Sequence, residues 1–539
     1  SVNLAPIAHG VIHARELYPN ATTAKGARSQ VGAWMSFAML PSDTLLVRAG
    51  TSFSSDAQAR KNLEAEIPAW DFDAVVAQAE AAWNNFLGKA LVEGDPVQKT
   101  QFYTALYHCG LLPRTFSDVD GAYRSFAGGK SLETAEGYTY YADFSMWDTY
   151  RGLHPLLTIL EPARSADMMR SLVDKGEQGG WLPIFPAWNH YTSAMIGDHV
   201  AVTLTDAARK GIGSPEVWQR AYVMMRKNAF ESPATFEEYV DGKGRRALTS
   251  YLRYGYVPLE DSVMESFHKR EQVSRTLEYA FDDFAVAQMA QLLGEDGDHA
   301  ALLKRAANYK NVFDTESGFV RGRHADGRWA TPFDPAIKQS YITEGTPWHY
   351  TWYVPHDPQG LAALMGGAET YISQLDRLFD EDLYWHGNEP GHQIPYLYAC
   401  VGAPWKTQQR VHDILISEYG PGPGGLTGNE DAGQMSAWYV LSSLGFYPVC
   451  PGQPVYIIGS PHFATARISL PGGKAFTIQA NGLSDKAIYV QSATLNGQPF
   501  DQAWIAHETL VAGGELVFEM GESPNTAWGA SNLPPNEMP

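Results

Sequence analysis

Three segments of the chain have residues that could take part in catalysis. The first combines a carboxylate with aromatic residues. In residues 343–357, Glu344 is followed at short spacing by Trp348, Tyr350 and Trp352. Aromatic neighbours exclude water, and a carboxyl group out of water favours its neutral form, which a general acid needs. We therefore predict that Glu344 is a proton donor. The alternative, equally weighted for this segment alone, is a Glu that serves a helix N-terminus.

The second segment, residues 385–393, is rich in oxygen and nitrogen ligands and contains no sulfur. Calcium binds carboxylate, amide and backbone oxygens in flexible geometry, so Asn388 and Glu389 are predicted to be calcium ligands. The alternative is an ordinary turn before a helix, because Asn-Glu-Pro has that pattern too and no EF-hand spacing is present.

The third segment, residues 424–438, is a glycine-rich loop that leads into a helix predicted over Asp431 to Leu444. Asp431 is expected near the helix N-terminus, where the helix dipole favours the ionised form that a general base requires. The alternative is helix capping by Asn429 or Asp431, which would explain either residue without catalysis.

Two further carboxylates lie beside residues that could contact a substrate. Asp148 follows Trp147, and Asp198 lies within residues 195–199. Their alternative role is to accept hydrogen bonds from backbone donors or from Arg151. No phosphate-binding glycine loop and no nucleophile elbow is present, so nucleotide and serine-hydrolase chemistry have no support.

Composition excludes several classes of function. The net charge of −20 opposes binding to nucleic acid, and no run of about 18 apolar residues predicts a membrane span. Aromatic residues make up 12% of the chain, which suits a carbohydrate cleft; the alternative is that a large helical domain uses many aromatic residues in its core. The chain opens at Ser1 without an initiator Met or an apolar leader, so we expect a secreted or periplasmic protein.

The elements that must position these residues change type twice along the chain. Short β-strands are predicted first, helices from about Ala57 to Gly445, and strands again after Pro448, with a hairpin turn at Asn496-Gly497. Asp95-Pro96 marks a helix start. The pattern divides the chain into an N-terminal β segment (1–56), a helical linker (57–94), a helical domain that carries the three segments (95–447) and a C-terminal β region (448–539). The two groups of strands are expected to pair with each other or with material outside this chain.

Taken together, these segments resemble the glycoside hydrolase family 92 α-mannosidases. The resemblance extends in order over Ala57 to Phe72, Phe144 to Pro155, Gly179 to His199, Phe333 to Gly366, His386 to Gln408 and Gly424 to Pro448.

This resemblance implies an (α/α)6 catalytic domain with β-sandwich structure from both chain ends. Residues 95–447 are then the catalytic domain, residues 1–56 are the remnant of an N-terminal β-sandwich, and residues 448–539 pack with that sandwich. It also implies calcium-dependent, inverting, exo-acting hydrolysis of terminal α-mannosides on N-glycans or mannans. Glu344 is then the general acid and Asp431 the general base. The implied substrate contacts are Trp147, Asp148, Asp198, Trp348, His386, Gly387 and Asn429.

Two departures qualify the resemblance. Many relatives have a second Asp where Asn429 stands, and α-1,2-specific members have a Glu where Gly387 stands, so α-1,2 is not the expected linkage. The chain is also shorter than its relatives, which suggests a separate N-terminal fragment of the same precursor as a partner. The alternatives are an uncapping enzyme for mannose-1-phospho-6-mannose and a non-catalytic carbohydrate-binding protein.

Overall fold

The computed structural model describes residues 2–27, 30–262 and 267–539. The chain divides into two compact units, one formed by residues 1–82, 117–123 and 132–134 and the other by residues 83–116, 124–131 and 135–539. Among the described residues, no helix combines the length and the apolar character needed to cross a bilayer.

The first unit starts with an antiparallel sheet of order β2-β1-β3, formed by β1 (Ala8–His13), β2 (Glu16–Pro19) and β3 (Val31–Ser36). Ala14 and Arg15 connect β1 to β2 with positive φ angles of 49° and 71°, the backbone sign of a tight hairpin. We predicted pairing with the C-terminal strands or with material outside this chain, whereas among the described residues these three strands pair with one another. A two-residue turn makes local pairing entropically favourable, and each of the three strands finds its partner within the first 36 residues.

Helices α1 (Asp56–Glu66) and α2 (Phe72–Leu87) follow, so the predicted helix start near Ala57 is confirmed. Helix α3 (Pro96–Cys109) begins as predicted, because the Asp95 side chain accepts hydrogen bonds from the backbone of Val97 and Gln98. The remaining helices are α4 (Met146–Thr149), α5 (Leu153–Leu160), α6 (Pro162–Gly179), α7 (His199–Arg209), α8 (Pro215–Phe230), α9 (Phe236–Val240), α10 (Leu248–Tyr254), α11 (Gln272–Leu293), α12 (Asp296–Ala306), α13 (Pro347–Tyr350), α14 (Pro358–Leu364), α15 (Ala368–Asp380), α16 (Pro404–Ser417), α17 (Gln434–Leu444) and α18 (His507–Ala512).

Helix α11 is the longest helix of the second unit and is buried over most of its length, from Gln272 to Ala290. It packs against α7, α8 and α12. Helix α17 packs against α3, α5 and α16, so the last long helix contacts the first helix of this unit. The loops that carry the predicted site residues are attached to this framework.

The C-terminal strands form a six-stranded sheet of order β16-β15-β18-β14-β13-β4 and a three-stranded sheet of order β11-β12-β17. The six strands are β4 (Ala90–Glu93), β13 (Thr465–Ser469), β14 (Ala475–Asn481), β15 (Tyr489–Leu495), β16 (Gln498–Pro499) and β18 (Gly514–Gly521). The three are β11 (Phe446–Tyr447), β12 (Val455–Ile458) and β17 (Trp504–Ala506), and short pairs use β5 (Arg114–Thr115), β6 (Ala122–Arg124), β7 (Leu132–Thr134), β8 (Tyr141–Ala142), β9 (Phe313–Asp314) and β10 (Phe319–Val320).

Strand β4, which lies between α2 and α3, joins the C-terminal sheet by antiparallel pairing with β13. The segment predicted as a helical linker therefore ends in a strand. The hairpin predicted at Asn496-Gly497 is confirmed, because both residues have positive φ and connect β15 to β16. The rings of Phe102 in α3 and Phe463 beside the sheet lie 5.4 Å apart, so helices and sheet share one core.

Candidate active site

Three carboxylates from distant parts of the chain meet at one point. One oxygen each of Asp148, Glu389 and Asp431 lies within 4.8 Å of the other two. Asp148 belongs to α4, Glu389 begins a short 3-10 helix, and Asp431 lies in the loop before α17. The structure thus joins the second and third segments of the sequence to the short Trp147-Asp148 motif.

Burial and mutual repulsion perturb all three groups. Burial raises the pKa of Asp148 to about 8, and the negative charges of Asp431 and Glu344 add to this effect. The hydrogen bond from Ser145 and the positive charge of Arg151 oppose it but are weaker. Burial raises the pKa of Glu389 well above its ordinary value, and the charges of Asp148 and Asp431 add to this effect. Burial also raises the pKa of Asp431. Without a further positive charge, the cluster therefore retains protons near neutral pH.

Arg151 is the cation beside the cluster. Its guanidinium group is buried against the rings of Trp147, Tyr150 and Tyr353, at 4.8 to 5.3 Å from the ring centres. Its Nε donates to the Trp147 carbonyl at 2.9 Å, whereas Nη1 and Nη2 have no hydrogen-bond partner among the described residues. One positive charge faces three carboxylates, so the cluster keeps a net negative charge when they are ionised.

The donor set fits a hard divalent cation. Glu389 is fully buried, and no donor group of the described residues reaches either of its carboxylate oxygens. An ionised carboxylate in that state is strongly unfavourable, so the group either keeps its proton or is satisfied by a bound cation. The three carboxylates offer oxygen ligands alone, which is the chemistry that calcium prefers. Asn388, the other predicted ligand, precedes Glu389 and is half-buried.

Glu344 differs from its sequence-based description. Its side chain is exposed, because the aromatic rings expected to cover it pack elsewhere: Trp348 lies against Phe319 at 4.6 Å and Trp352 against Tyr371 at 5.1 Å. Its role at a helix N-terminus is not seen either, since Thr346 and His349 form the capping box of α13. Glu344 has a left-handed backbone with φ of 51°, an uncommon conformation found at functional sites.

The third segment also departs from its prediction. Helix α17 begins at Gln434 and not at Asp431, because Asp431 and Ala432 have positive φ angles of 45° and 60°. Glu430 caps this helix instead, because its carboxylate accepts hydrogen bonds from the Ser436 backbone N–H at 3.0 Å and from the Ser436 hydroxyl at 2.8 Å. Asp431 is consequently free to face the cluster. Glu430 is not among the predicted site residues, although its place directly before Asp431 in the glycine-rich loop is a signal that the sequence contains.

His386 and Gly387 bring two loops together. Both ring nitrogens of His386 contact tyrosine hydroxyls, Tyr384 at 2.8 Å and Tyr419 at 2.7 Å, and burial lowers the pKa of this imidazole to about 3. A Cβ atom on Gly428 would lie 2.2 Å from the Gly387 carbonyl oxygen. The two glycines therefore allow the third segment to pack directly on the backbone of the second.

The remaining predicted substrate contacts have other surroundings. Asp198 is 0% exposed and accepts hydrogen bonds from Arg245 Nε at 2.9 Å and Asn228 Nδ2 at 3.1 Å. This matches the alternative role, an acid that accepts hydrogen bonds within the protein, with Arg245 in place of Arg151. Trp348 packs in the core as described above. Asn429 is exposed. Trp147 is buried and donates through Nε1 to Glu278, a residue that no sequence motif marks.

Comparison with known proteins supports one enzyme family. The profile of the glycosyl hydrolase family 92 catalytic domain matches residues 58–522. The structure of a family GH92 alpha-mannosidase from Bacteroides thetaiotaomicron is similar, with a TM-score of 0.88, 33% identity and coverage of 100% of this chain and 71% of that one. A family GH92 inverting mannosidase from Bacteroides thetaiotaomicron VPI-5482 has a TM-score of 0.90, 32% identity and coverage of 99% and 74%.

A curated relative is similar over most of the chain. It is described as an uncharacterized secreted glycosidase of Arthroderma benhamiae and is 29% identical over 525 residues. The match covers 91% of this chain and 62% of the relative, so the chain spans less than two thirds of that protein.

Proposed function

Because the chain belongs to glycosyl hydrolase family 92, we propose that it is an inverting, calcium-dependent, exo-acting α-mannosidase that acts on N-glycans or mannans. The carboxylate cluster of Asp148, Glu389 and Asp431, with Glu344 close enough to act on the Asp148 charge, is the observation that carries this proposal. The similarity to two bacterial mannosidases, one of them inverting, supports the substrate and the stereochemistry. The name of the curated relative supports a secreted or periplasmic location.

In this proposal, inversion needs one acid and one base on opposite faces of the sugar. Glu344 is exposed, so its proton can reach the oxygen of a leaving group that points toward solvent. Asp431 is half-buried and accepts a proton from the attacking water. Trp147 and Asp148 hold the terminal mannose, and calcium bound by Asn388 and Glu389 would favour ionised carboxylates and order the sugar hydroxyls.

We further propose that the helices from α3 to α17 form the (α/α)6 barrel implied by the family, which the packing of α17 against α3 supports. Linkages other than α-1,2 are proposed because Gly387 offers no side chain to a leaving group, and a Cβ atom there would lie 3.2 Å from the Gly428 Cα.

The test is release of mannose from a panel of mannobioses, with and without a chelator, followed by NMR of the anomer formed first. We expect calcium-dependent release of β-mannose and slower cleavage of the α-1,2 linkage than of another linkage. Asp431→Asn serves as the control for contaminating activity. Release of α-mannose first would contradict inversion, and full activity in the chelator would contradict the role of calcium.

A further inference from the structure

A network of fully buried charges extends along α11. Glu278, Asp282 and Asp283 on this helix are each 0% exposed. His199, the first residue of α7, lies between the first two, with Nδ1 2.8 Å from Asp282 Oδ1 and Nε2 3.3 Å from Glu278 Oε2. Residues four positions apart share one face of a helix, so a single imidazole can reach both carboxylates.

Glu278 is the member of this network that contacts the candidate site. Its Oε1 accepts from Trp147 Nε1 at 3.0 Å and from the Tyr350 hydroxyl at 3.1 Å. Trp147 immediately precedes Asp148 in α4, and Tyr350 ends α13, the helix that follows the Glu344 loop. One carboxylate therefore joins two separate segments that both carry predicted site residues.

Stability alone explains this network poorly. Removing several charges from water carries a desolvation penalty, and well-packed apolar residues are often as stable as a buried ion pair. Burial by itself would lower the pKa of His199, but the charges of Asp282 and Glu278 outweigh burial and raise it to about 9. The two carboxylates therefore favour the cationic form of His199.

We propose that Glu278 is a positioning residue that holds Trp147 and Tyr350, and through them the Asp148 turn, in the arrangement that binds sugar and metal. This inference rests on the proposed function. Arg151 belongs to the same turn through its hydrogen bond to the Trp147 carbonyl, so a shift of Trp147 also displaces the cation beside the cluster.

Two tyrosines allow a matched test. Tyr350 and Tyr251 are both 0% exposed, and each donates its hydroxyl to a buried carboxylate of α11, Glu278 at 3.1 Å and Asp283 at 3.0 Å. Tyr350→Phe removes a donor beside the site, whereas Tyr251→Phe removes a comparable donor from the other end of the network. Glu278→Gln keeps the size of the side chain and removes its charge.

The measurements are kcat on the mannobiose that the wild type cleaves fastest and the affinity for Tb³⁺, a calcium substitute whose luminescence is sensitised by nearby aromatic rings. Both are made well below the melting temperature of each variant. We expect Tyr350→Phe and Glu278→Gln to lower both quantities about 10- to 100-fold, the usual effect of losing a residue that supports a ligand. Tyr251→Phe should lower thermal stability and leave both quantities at wild-type values.

Equal changes in the two tyrosine variants, or wild-type values in Glu278→Gln, would overturn the inference. A wild type that cleaves no α-mannoside contradicts the proposed function alone, because the Tb³⁺ titration needs no substrate and still decides the role of Glu278. A wild type that binds no Tb³⁺ overturns the positioning role as well.

Discussion

Exposure separates the four carboxylates at the candidate site into two kinds. Asp148 and Glu389 are buried, whereas Asp431 is half-buried and Glu344 is exposed. Buried carboxylates suit the holding of a cation or a sugar hydroxyl, and groups that reach solvent can exchange protons with water and substrate. This division at the scale of single residues supports the roles proposed for each group.

The substitution Glu344→Gln tests whether Glu344 is the general acid. We expect kcat/KM on a mannobiose to fall about 10²- to 10⁴-fold, because a poor leaving group requires protonation, and to fall much less on an activated aryl mannoside. Parallel assays of both substrates measure the difference. Glu381→Gln, which changes an exposed Glu paired with Arg377, is the control and should keep wild-type rates. Equal losses on the two substrates would contradict the acid role.

The raised pKa of Asp148 predicts that the stability of the metal-free protein depends on pH. Its pKa is raised from 3.8 to about 8, so the folded state binds a proton that the unfolded state releases. The stabilisation of the folded state by this proton is fully present below about pH 4 and is lost as the pH rises through about 8. The free energy of unfolding, measured by urea denaturation in a chelator, should therefore fall over this window. Asp148→Asn should flatten the slope; an identical slope in the variant would contradict the assignment.

At the scale of elements, the contact between two loops shapes the site. The loop before α17 packs on the second segment through Gly428 and Gly387, whose backbones approach too closely for a side chain on Gly428. Asp431 lies three residues after Gly428, so the position of this loop determines where the proposed base stands.

Gly428→Ala and Gly422→Ala form a pair that separates backbone strain from steric conflict. Both glycines have positive φ, 79° and 82°, so Ala at either position costs roughly 1–2 kcal/mol of stability. A Cβ atom on Gly422 has no neighbour within 4 Å, whereas on Gly428 it would meet the Gly387 backbone. We expect Gly422→Ala to keep full kcat and Gly428→Ala to lose most of it. Thermal unfolding and kcat are measured together, and equal kcat in the two variants would contradict this role of the contact.

At the scale of the whole molecule, one hydrophobic core links the helices to the C-terminal sheet. It includes Phe102 of α3, Phe281 of α11, Trp438 of α17 and Phe476 of β14. The carboxylate cluster is attached to several parts of this core, so a cation that joins its members should stabilise the second unit as one body.

Calcium should therefore raise the stability of the second unit. At a concentration of 100 times its Kd, a ligand that binds the folded state alone adds about 2.7 kcal/mol. Urea denaturation with calcium or with a chelator measures this difference. Glu389→Gln should remove most of it, because an amide replaces the buried carboxylate. A wild type that is equally stable under both conditions would argue against a calcium site.

The sequence by itself determined the local features. Asp95-Pro96 starts α3, Asn496-Gly497 forms its hairpin, and the helical region ends at Gly445, because capping and turn preferences depend on a few neighbouring residues. It also placed Glu389 and Asp431 in segments rich in polar ligands. The sequence did not predict which strands pair, because each strand can in principle pair with any other strand of the chain.

Only the tertiary structure decided which residues meet and which are exposed. Trp147 and Glu278 are 131 residues apart in the chain and have no common motif, yet they share a hydrogen bond. Glu344 is exposed although three aromatic residues follow it, and Asp198 is buried and accepts a hydrogen bond from Arg245. Burial, pKa and hydrogen bonding depend on neighbours in space, which the order of residues along the chain does not specify.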